Sequence, residues 1–450
     1  MLLRSLKTVA LGCGLLATAF LSAQKPVQDA TAKTATDAPQ DLSPKAAYEQ
    51  SMRPLARTRS YIGNWSDTEI AALTVAMDRA KKECEARDAA KFSEEDLLDL
   101  ARLCSMGQSF ANVEIAAQRY LDADGSKPHL TLAYADLLDA ELHLKQEPEA
   151  VVTAQKMLAT VPYDALTAEA INEAISYMQF VHTDDALTVS AAREPLLLAR
   201  LKAVANSPVA TDDAESAQTL HDLYADGMAF AALQHLAKIE AAETVKSLDA
   251  ALPAELAPDD ALPIALTRKR FALLGKPLPN IKATAYLSMP GTQPQVPARN
   301  AVTGLLLFPD WCAQCVSMGQ RVPQTVFTVE GHEAYLYGMM AATVSQHPQP
   351  TSESTRPENK VFDPAEASNL LRETPTIVVN MDVLNTFAAT DVPFLVLTDS
   401  QGVVRVLQPV SEDALIPGGL IDSAIARVNE RWPQPTAQTD ENKPIQPTKR

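Results

Sequence analysis

Residues 301–315 read AVTGLLLFPDWCAQC, and the fold of the C-terminal third turns on them. The first eight, AVTGLLLF, form a short continuous apolar run with no polar alternation, which reads as a strand buried on both faces. Two cysteines follow, Cys312 and Cys315, with two residues between them. That spacing fits the first turn of a helix. The first cysteine then sits near the helix N-terminus, where unpaired backbone N–H groups and the dipole stabilise a thiolate. The second lies one turn on, close enough to close a disulfide. A strand running straight into the pair makes a common tetrapeptide a redox motif.

Three other uses of such a pair fit the sequence less well. A haem attachment site needs His after the second cysteine, and the residue there is Val316. A structural zinc site needs two further ligands, but there is no second CxxC, and His332 and His347 are not spaced as ligands. A buried structural disulfide does not require a strand–helix junction. The expectation is therefore thiol–disulfide exchange, with Cys312 as nucleophile, Cys315 as resolving thiol, no metal, and no cofactor beyond the dithiol itself. Trp311 reads equally as a core aromatic and as the flat shoulder of a peptide-binding groove.

Downstream, EAYLYGMMAAT (334–344), PTIVVN (375–380), FLVLT (394–398) and VVRVLQ (403–408) read as strands. A polar, proline-containing loop is expected over 345–364. Asp399-Ser400-Gln401-Gly402 reads as a hairpin turn, and a last helix runs to about Trp432. Residues 433–450 have no apolar face and are expected to be disordered.

These landmarks resemble the thioredoxin-like superfamily. Phe308-Pro309-Asp310-Trp311-Cys312-Ala313-Gln314-Cys315 looks like its WCxxC segment, and DVPFLVLTDSQGVVRVL (391–407) is similar to the segment following its cis-proline. The resemblance implies that Pro393 is cis and that Val392, Pro393 and Trp311 bind substrate. The extra unit around PTIVVNMD (375–382) and the 393 − 315 = 78 residues between motifs resemble the TlpA-like extracytoplasmic reductases. The implied fold is an α/β thioredoxin-like domain over 272–432. The implied partners are protein clients with disulfides or thiols, together with a membrane electron donor that this chain does not contain. Departures exist. Ala313-Gln314 replaces the Gly-Pro of thioredoxin. Leu305, Leu306 and Leu307 offer no acid where thioredoxins keep a buried carboxylate, and the glutamate common one turn after the second cysteine is replaced around Met318. Asp310 or water is left to handle the proton of Cys315. A peroxidase reading is weak, because Pro309 stands where peroxiredoxins place Thr.

Upstream the pattern changes to helix after helix. Few glycines (15) and 5% aromatics favour helix over an all-β design. Ser66 and Glu69 fit a capping box opening a helix through about Glu85, and Ser93 is placed as the cap of the next. AAQRYLDADGSKPHLTLA is echoed by TAQKMLATVPYDALTAEA, with Tyr120 and Met157 equivalent and an offset of 37 residues. That period resembles tetratricopeptide (TPR-like) helical hairpins, which stack to bury their apolar faces; an irregular helical bundle is the plainer alternative. The expected organisation is multidomain. It comprises a signal peptide (1–23), a flexible lead-in (24–63), an all-α helical-hairpin domain (64–250), a proline-bearing linker (251–271), the α/β domain and the tail.

The first residues read as an export signal. Arg4 and Lys7 precede an apolar stretch, VALGCGLLATAFLSA (9–23), that is shorter than the ~20 residues of a membrane span. Cleavage is expected after Ala23, giving a periplasmic or otherwise extracytoplasmic protein that is not integral to the membrane. Cys13 leaves with the signal, and the remaining Cys84 and Cys104 are expected to pair in the oxidising compartment, because consecutive antiparallel helices bring them to similar heights. The net charge of −17 and the lack of a Lys/Arg-rich run argue against nucleic acid as a partner. A rival to the enzyme reading is a helical interaction scaffold with a weakly active thioredoxin-like platform.

Overall fold

The computed structural model describes residues 42–58, 66–123, 127–206, 218–287, 295–298, 300–319, 327–329, 332–342, 371, 375–411, 414 and 419–433. The signal-peptide, 345–364 loop and C-terminal tail readings lie outside them. The chain divides into two compact units, Met1–Arg268 and Lys269–Arg450. The first is helical. The second holds a mixed sheet.

Ten helices of the first unit run α1 (Pro44–Thr58), α2 (Asp67–Glu85), α3 (Glu95–Met106), α4 (Phe110–Asp122), α5 (Leu130–His143), α6 (Glu147–Thr160), α7 (Ala165–Met178), α8 (Thr183–Asn206), α9 (Leu220–Leu236) and α10 (Ala242–Ala251). Each packs on the next, and α1, α3, α5 and α7 also pack in succession. The capping box is present: Ser66 Oγ accepts from the Glu69 N–H at 3.3 Å, and Glu69 Oε2 accepts from the Ser66 N–H at 2.8 Å. The 37-residue echo falls on two hairpins, α4–α5 and α6–α7, with Tyr120 and Met157 both buried. Gly107 lets the end of α3 meet α2, since a Cβ there would lie 2.5 Å from the Lys81 backbone.

Three expectations are corrected. The lead-in is not flexible throughout, because α1 buries Ala47, Ser51 and Leu55, one face at four-residue spacing. Ser93 is not the cap of α3; Glu94 holds that position at φ 49, and Ser93 contributes only its carbonyl, to the Asp96 N–H. The stretch 251–271 is not a plain linker, since α11 spans Pro258–Phe271. Pro258 opens that helix, where a missing N–H removes no intrahelical bond.

The second unit carries a seven-stranded sheet. Its strands are β1 (Ala283–Leu287), β2 (Val302–Pro309), β3 (Phe327–Val329), β4 (His332–Ala342), β5 (Thr376–Asn380), β6 (Phe394–Thr398) and β7 (Val404–Pro409), in the order β1-β5-β4-β2-β6-β7 with β3 on β4. The β2–β4 and β4–β5 pairs are parallel; β1–β5, β3–β4, β2–β6 and β6–β7 are antiparallel. Helices α12 (Ala313–Gly319), α13 (Asp382–Phe387) and α14 (Leu420–Arg431) accompany it. Leu305, Leu307, Met339, Ile377, Phe387 and Phe394 form the core of one face. A helical region followed by this sheet and its cysteine-bearing helix is consistent with the thioredoxin-like expectation.

One buried acid sets a pH dependence. Glu141 is 6% exposed, accepts from the Thr153 hydroxyl at 3.0 Å, and is pushed up to about 7 by burial. Its folded value lies above its unfolded one, so folding favours the protonated form. The contribution is complete below the unfolded value of 4.5 and is lost as pH rises through about 7. Glu141→Gln keeps an acceptor for Thr153 without the charge. Thermal melts are expected to show this variant more stable than the parent at about pH 8, by about 1–3 kcal/mol, with the gap closing toward about pH 5.

Candidate functional site

Every residue of β2 is buried, and the strand is hydrogen-bonded on both edges. Its last residues therefore have a fixed direction. The Asp310 N–H donates to the Ala341 carbonyl at 2.9 Å, carrying the β2–β4 ladder one residue further, and Asp310 is itself buried. The Cys312 N–H then bonds back to the Pro309 carbonyl at 3.2 Å, which turns the chain. The Cys312 carbonyl accepts from the Val316 N–H at 3.0 Å, the first i→i+4 bond of α12. Cys312 is thus the residue that caps the helix.

That placement decides the chemistry of the two sulfurs. The Cys315 N–H lies 3.2 Å from Cys312 Sγ, in the position where an N-cap side chain accepts from the helix backbone. The bond is stronger when the acceptor carries charge, so it favours a Cys312 thiolate over the thiol. Cys312 is half-buried, whereas Cys315 is fully buried. The two are joined as a disulfide with Cα atoms 5.2 Å apart. Trp311, at 47% exposure, is not a core aromatic; it stands at the turn beside Cys312.

The Val392–Pro393 peptide is cis. Phe394 is paired with Leu307, so the antiparallel register continued by one residue sets Pro393 beside Phe308, at the sheet end from which Cys312 emerges. The Pro393 carbonyl accepts from the Val410 N–H at 2.9 Å, and Val392 and Pro393 are both half-buried. The structure thus brings Trp311, Cys312, Cys315, Val392 and Pro393 to one end of one sheet. A second cis bond, Val296–Pro297, has no sequence signal beyond the dipeptide itself. It lies at the other end, where Pro297 Cγ comes within 2.6 Å of a Cβ built on Gly402, whose φ is +77°.

Leu305, Leu306 and Leu307 are wholly buried, and Met318 is buried one turn beyond Cys315. No carboxylate comes from those positions, and Asp310 is the acid nearest to Cys312 in sequence. Among the described residues, no group of three or more His, Cys, Asp or Glu is arranged to hold a metal ion. None of the helices described there is long and apolar enough to cross a membrane.

Cys84 and Cys104 form a second disulfide, Cα atoms 5.0 Å apart, between α2 and α3. Both are fully buried, and Asn112 Nδ2 approaches Cys84 Sγ at 3.5 Å. Nothing about this pair offers a sulfur to an incoming reactant.

No family model matches the chain, and no curated protein matches it. Among solved structures it is similar to a thioredoxin-like protein from Bacteroides caccae, at 15% identity and a TM-score of 0.24, over 69% of this chain and 93% of that one.

The two disulfides are expected to separate by accessibility. In native protein, a millimolar phosphine should open Cys312–Cys315, and two thiols should then be alkylated. Cys84 and Cys104 should be labelled only after denaturation. Peptide mapping that finds all four labelled at one rate contradicts this assignment.

Proposed function

We propose that this protein is an extracytoplasmic thiol–disulfide oxidoreductase, working as a reductase of protein disulfides. The observation that carries the reading is the asymmetry of the pair: a half-buried Cys312 capping a helix, with a fully buried Cys315 behind it. In the reduced protein, the Cys312 thiolate attacks one sulfur of a client disulfide. The client's other sulfur leaves as a thiolate, and a mixed disulfide forms. Cys315 loses its proton and attacks Cys312 Sγ. The client departs with both sulfurs reduced, and the protein keeps the Cys312–Cys315 disulfide, two electrons having passed to the client. Asp310 or water takes the Cys315 proton. Trp311 gives a flat exposed shoulder, and the backbone at Val392 and Pro393 gives an extended edge on which a client segment lies strand-like.

On this proposal the protein works in the manner of TlpA-like reductases, a membrane donor returns electrons to the pair, and the TPR-like hairpins recruit the client or partner. Residues 1–23 read as an export signal, and on that reading the work is done in the periplasm or otherwise outside the cytoplasm. A second reading has one observation in its favour. The apolar Leu305–Leu307 leave no acid in that stretch to speed the proton step, which suits a scaffold with a weakly active platform.

Single-cysteine variants distinguish the two. In an exporting host, Cys315→Ser should accumulate mixed disulfides that disappear on adding reductant, and Cys312→Ser should trap nothing. Adducts on the Cys312→Ser protein alone would reverse the roles. If neither variant traps a client and the parent does not reduce insulin, the scaffold reading replaces the enzyme.

A further inference from the structure

Arg270 lies in the stretch that the sequence marks as a linker, within the run TRKR, where it reads as one more solvated charge. In the structure its guanidinium is half-buried near the end of α11 and turned onto the chain that leads to the cis-proline. Nε and Nη2 both donate to the carbonyl of Ala388, at 3.2 and 2.9 Å, and Nη2 also donates to Thr390 Oγ1 at 2.9 Å. Cζ lies 5.2 Å from the centre of the Phe394 ring. One planar side chain therefore touches residues 388 and 390 before the cis bond and residue 394 after it.

The segment it holds needs an external tie. Ala388 ends α13 with φ 49° and ψ 42°, a left-handed conformation that disfavours any residue with a Cβ. Its carbonyl stands at a helix C-terminus, where partial negative charge accumulates and a cation is favoured. The Ala388 and Ala389 N–H groups close the helix end onto Asn385 and Leu384, and Thr390 Oγ1 donates to Asp391 Oδ2 at 3.0 Å. Those bonds are local. Among the described residues, the side-chain hydrogen bonds that tie Ala388–Asp391 to a distant part of the chain come from Arg270. Burial lowers the guanidinium's pKa from its ordinary value, with Asp391 opposing. A desolvated fork of this kind makes directional bonds that a lysine ammonium cannot reproduce.

We infer that Arg270 is a positioning residue, clamping the Ala388–Asp391 strap so that the Val392–Pro393 backbone is held ready to pair with a client beside Cys312. The use of the strap rests on the oxidoreductase reading; the clamp itself rests on the geometry. Arg270 touches neither cysteine, so it should act on client binding and leave the chemistry of the dithiol alone. Loss of binding that is the same in ground and transition state raises KM and spares kcat.

The test uses the full mature chain with Arg270→Gln and Arg270→Lys, measuring insulin reduction, the Cys312–Cys315 potential and amide exchange by mass spectrometry. Arg270→Gln should raise KM by about tenfold with kcat within about twofold. Its potential should be unchanged, and exchange should quicken in the peptide covering 388–394. Arg270→Lys, which keeps charge but not the fork, should fall between. Unchanged KM or unchanged exchange overturns the inference. So does a joint fall of kcat and melting temperature with exchange rising across the whole sheet, since that marks a merely structural role. If the parent reduces no insulin, the functional reading fails on its own. The clamp is then judged by exchange: faster exchange confined to 388–394 supports it, and no change overturns it.

Discussion

The burial of β2 on both faces, with hydrogen bonds along both edges, is the constraint on which the site depends. A strand so held cannot slide by one residue without turning its side chains to the wrong faces and breaking two ladders. Its end is therefore a fixed point. From it follow the extra ladder bond at Asp310, the turn at Pro309–Cys312 and the start of α12 at Ala313. The antiparallel partner β6 brings Pro393 to the same point by register, so two segments far apart in sequence are set side by side by backbone pairing. The difference between the two cysteines is a consequence of the same geometry. The capping residue stays half-buried with a backbone N–H near its sulfur, and the residue a turn later is fully buried.

The two disulfides differ in burial rather than in bonding. Cys84–Cys104 closes a loop between consecutive helices, and by the chain-entropy account a loop of this size contributes about 3 kcal/mol by restricting the unfolded chain. Exchange requires a thiolate to reach a disulfide sulfur, and two wholly buried residues give it no approach. Cys312 gives that approach beside the exposed Trp311.

Much of this was legible in the sequence for physical reasons. AVTGLLLF reads as a strand because a two-sided core leaves no polar alternation, and FLVLT is wholly buried in the same way. The hairpin heights that suggest a Cys84–Cys104 pair come from helix periodicity alone. What was missed lies where the local signal is weak or contradicted. β1 sits at the sheet edge, half exposed, and β3 is three residues long. α1 contains Pro54 and buries small residues rather than a stripe of leucines, so its face does not stand out. The prolines of 251–271 suggest a break, yet Pro258 is compatible with a helix start. Arg270 was invisible for a different reason. Its partner is a backbone carbonyl 118 residues away, and carbonyls carry no sequence signature.

An exchanging dithiol and a structural staple differ in reduction potential, so the potential of Cys312–Cys315 distinguishes the two. Equilibrating the mature protein with defined glutathione or dithiothreitol buffers, and counting alkylated Cys312 and Cys315 by mass spectrometry, should give a single two-electron transition between about −270 and −120 mV. A midpoint below about −300 mV, in the range of structural disulfides of secreted proteins, would contradict the account.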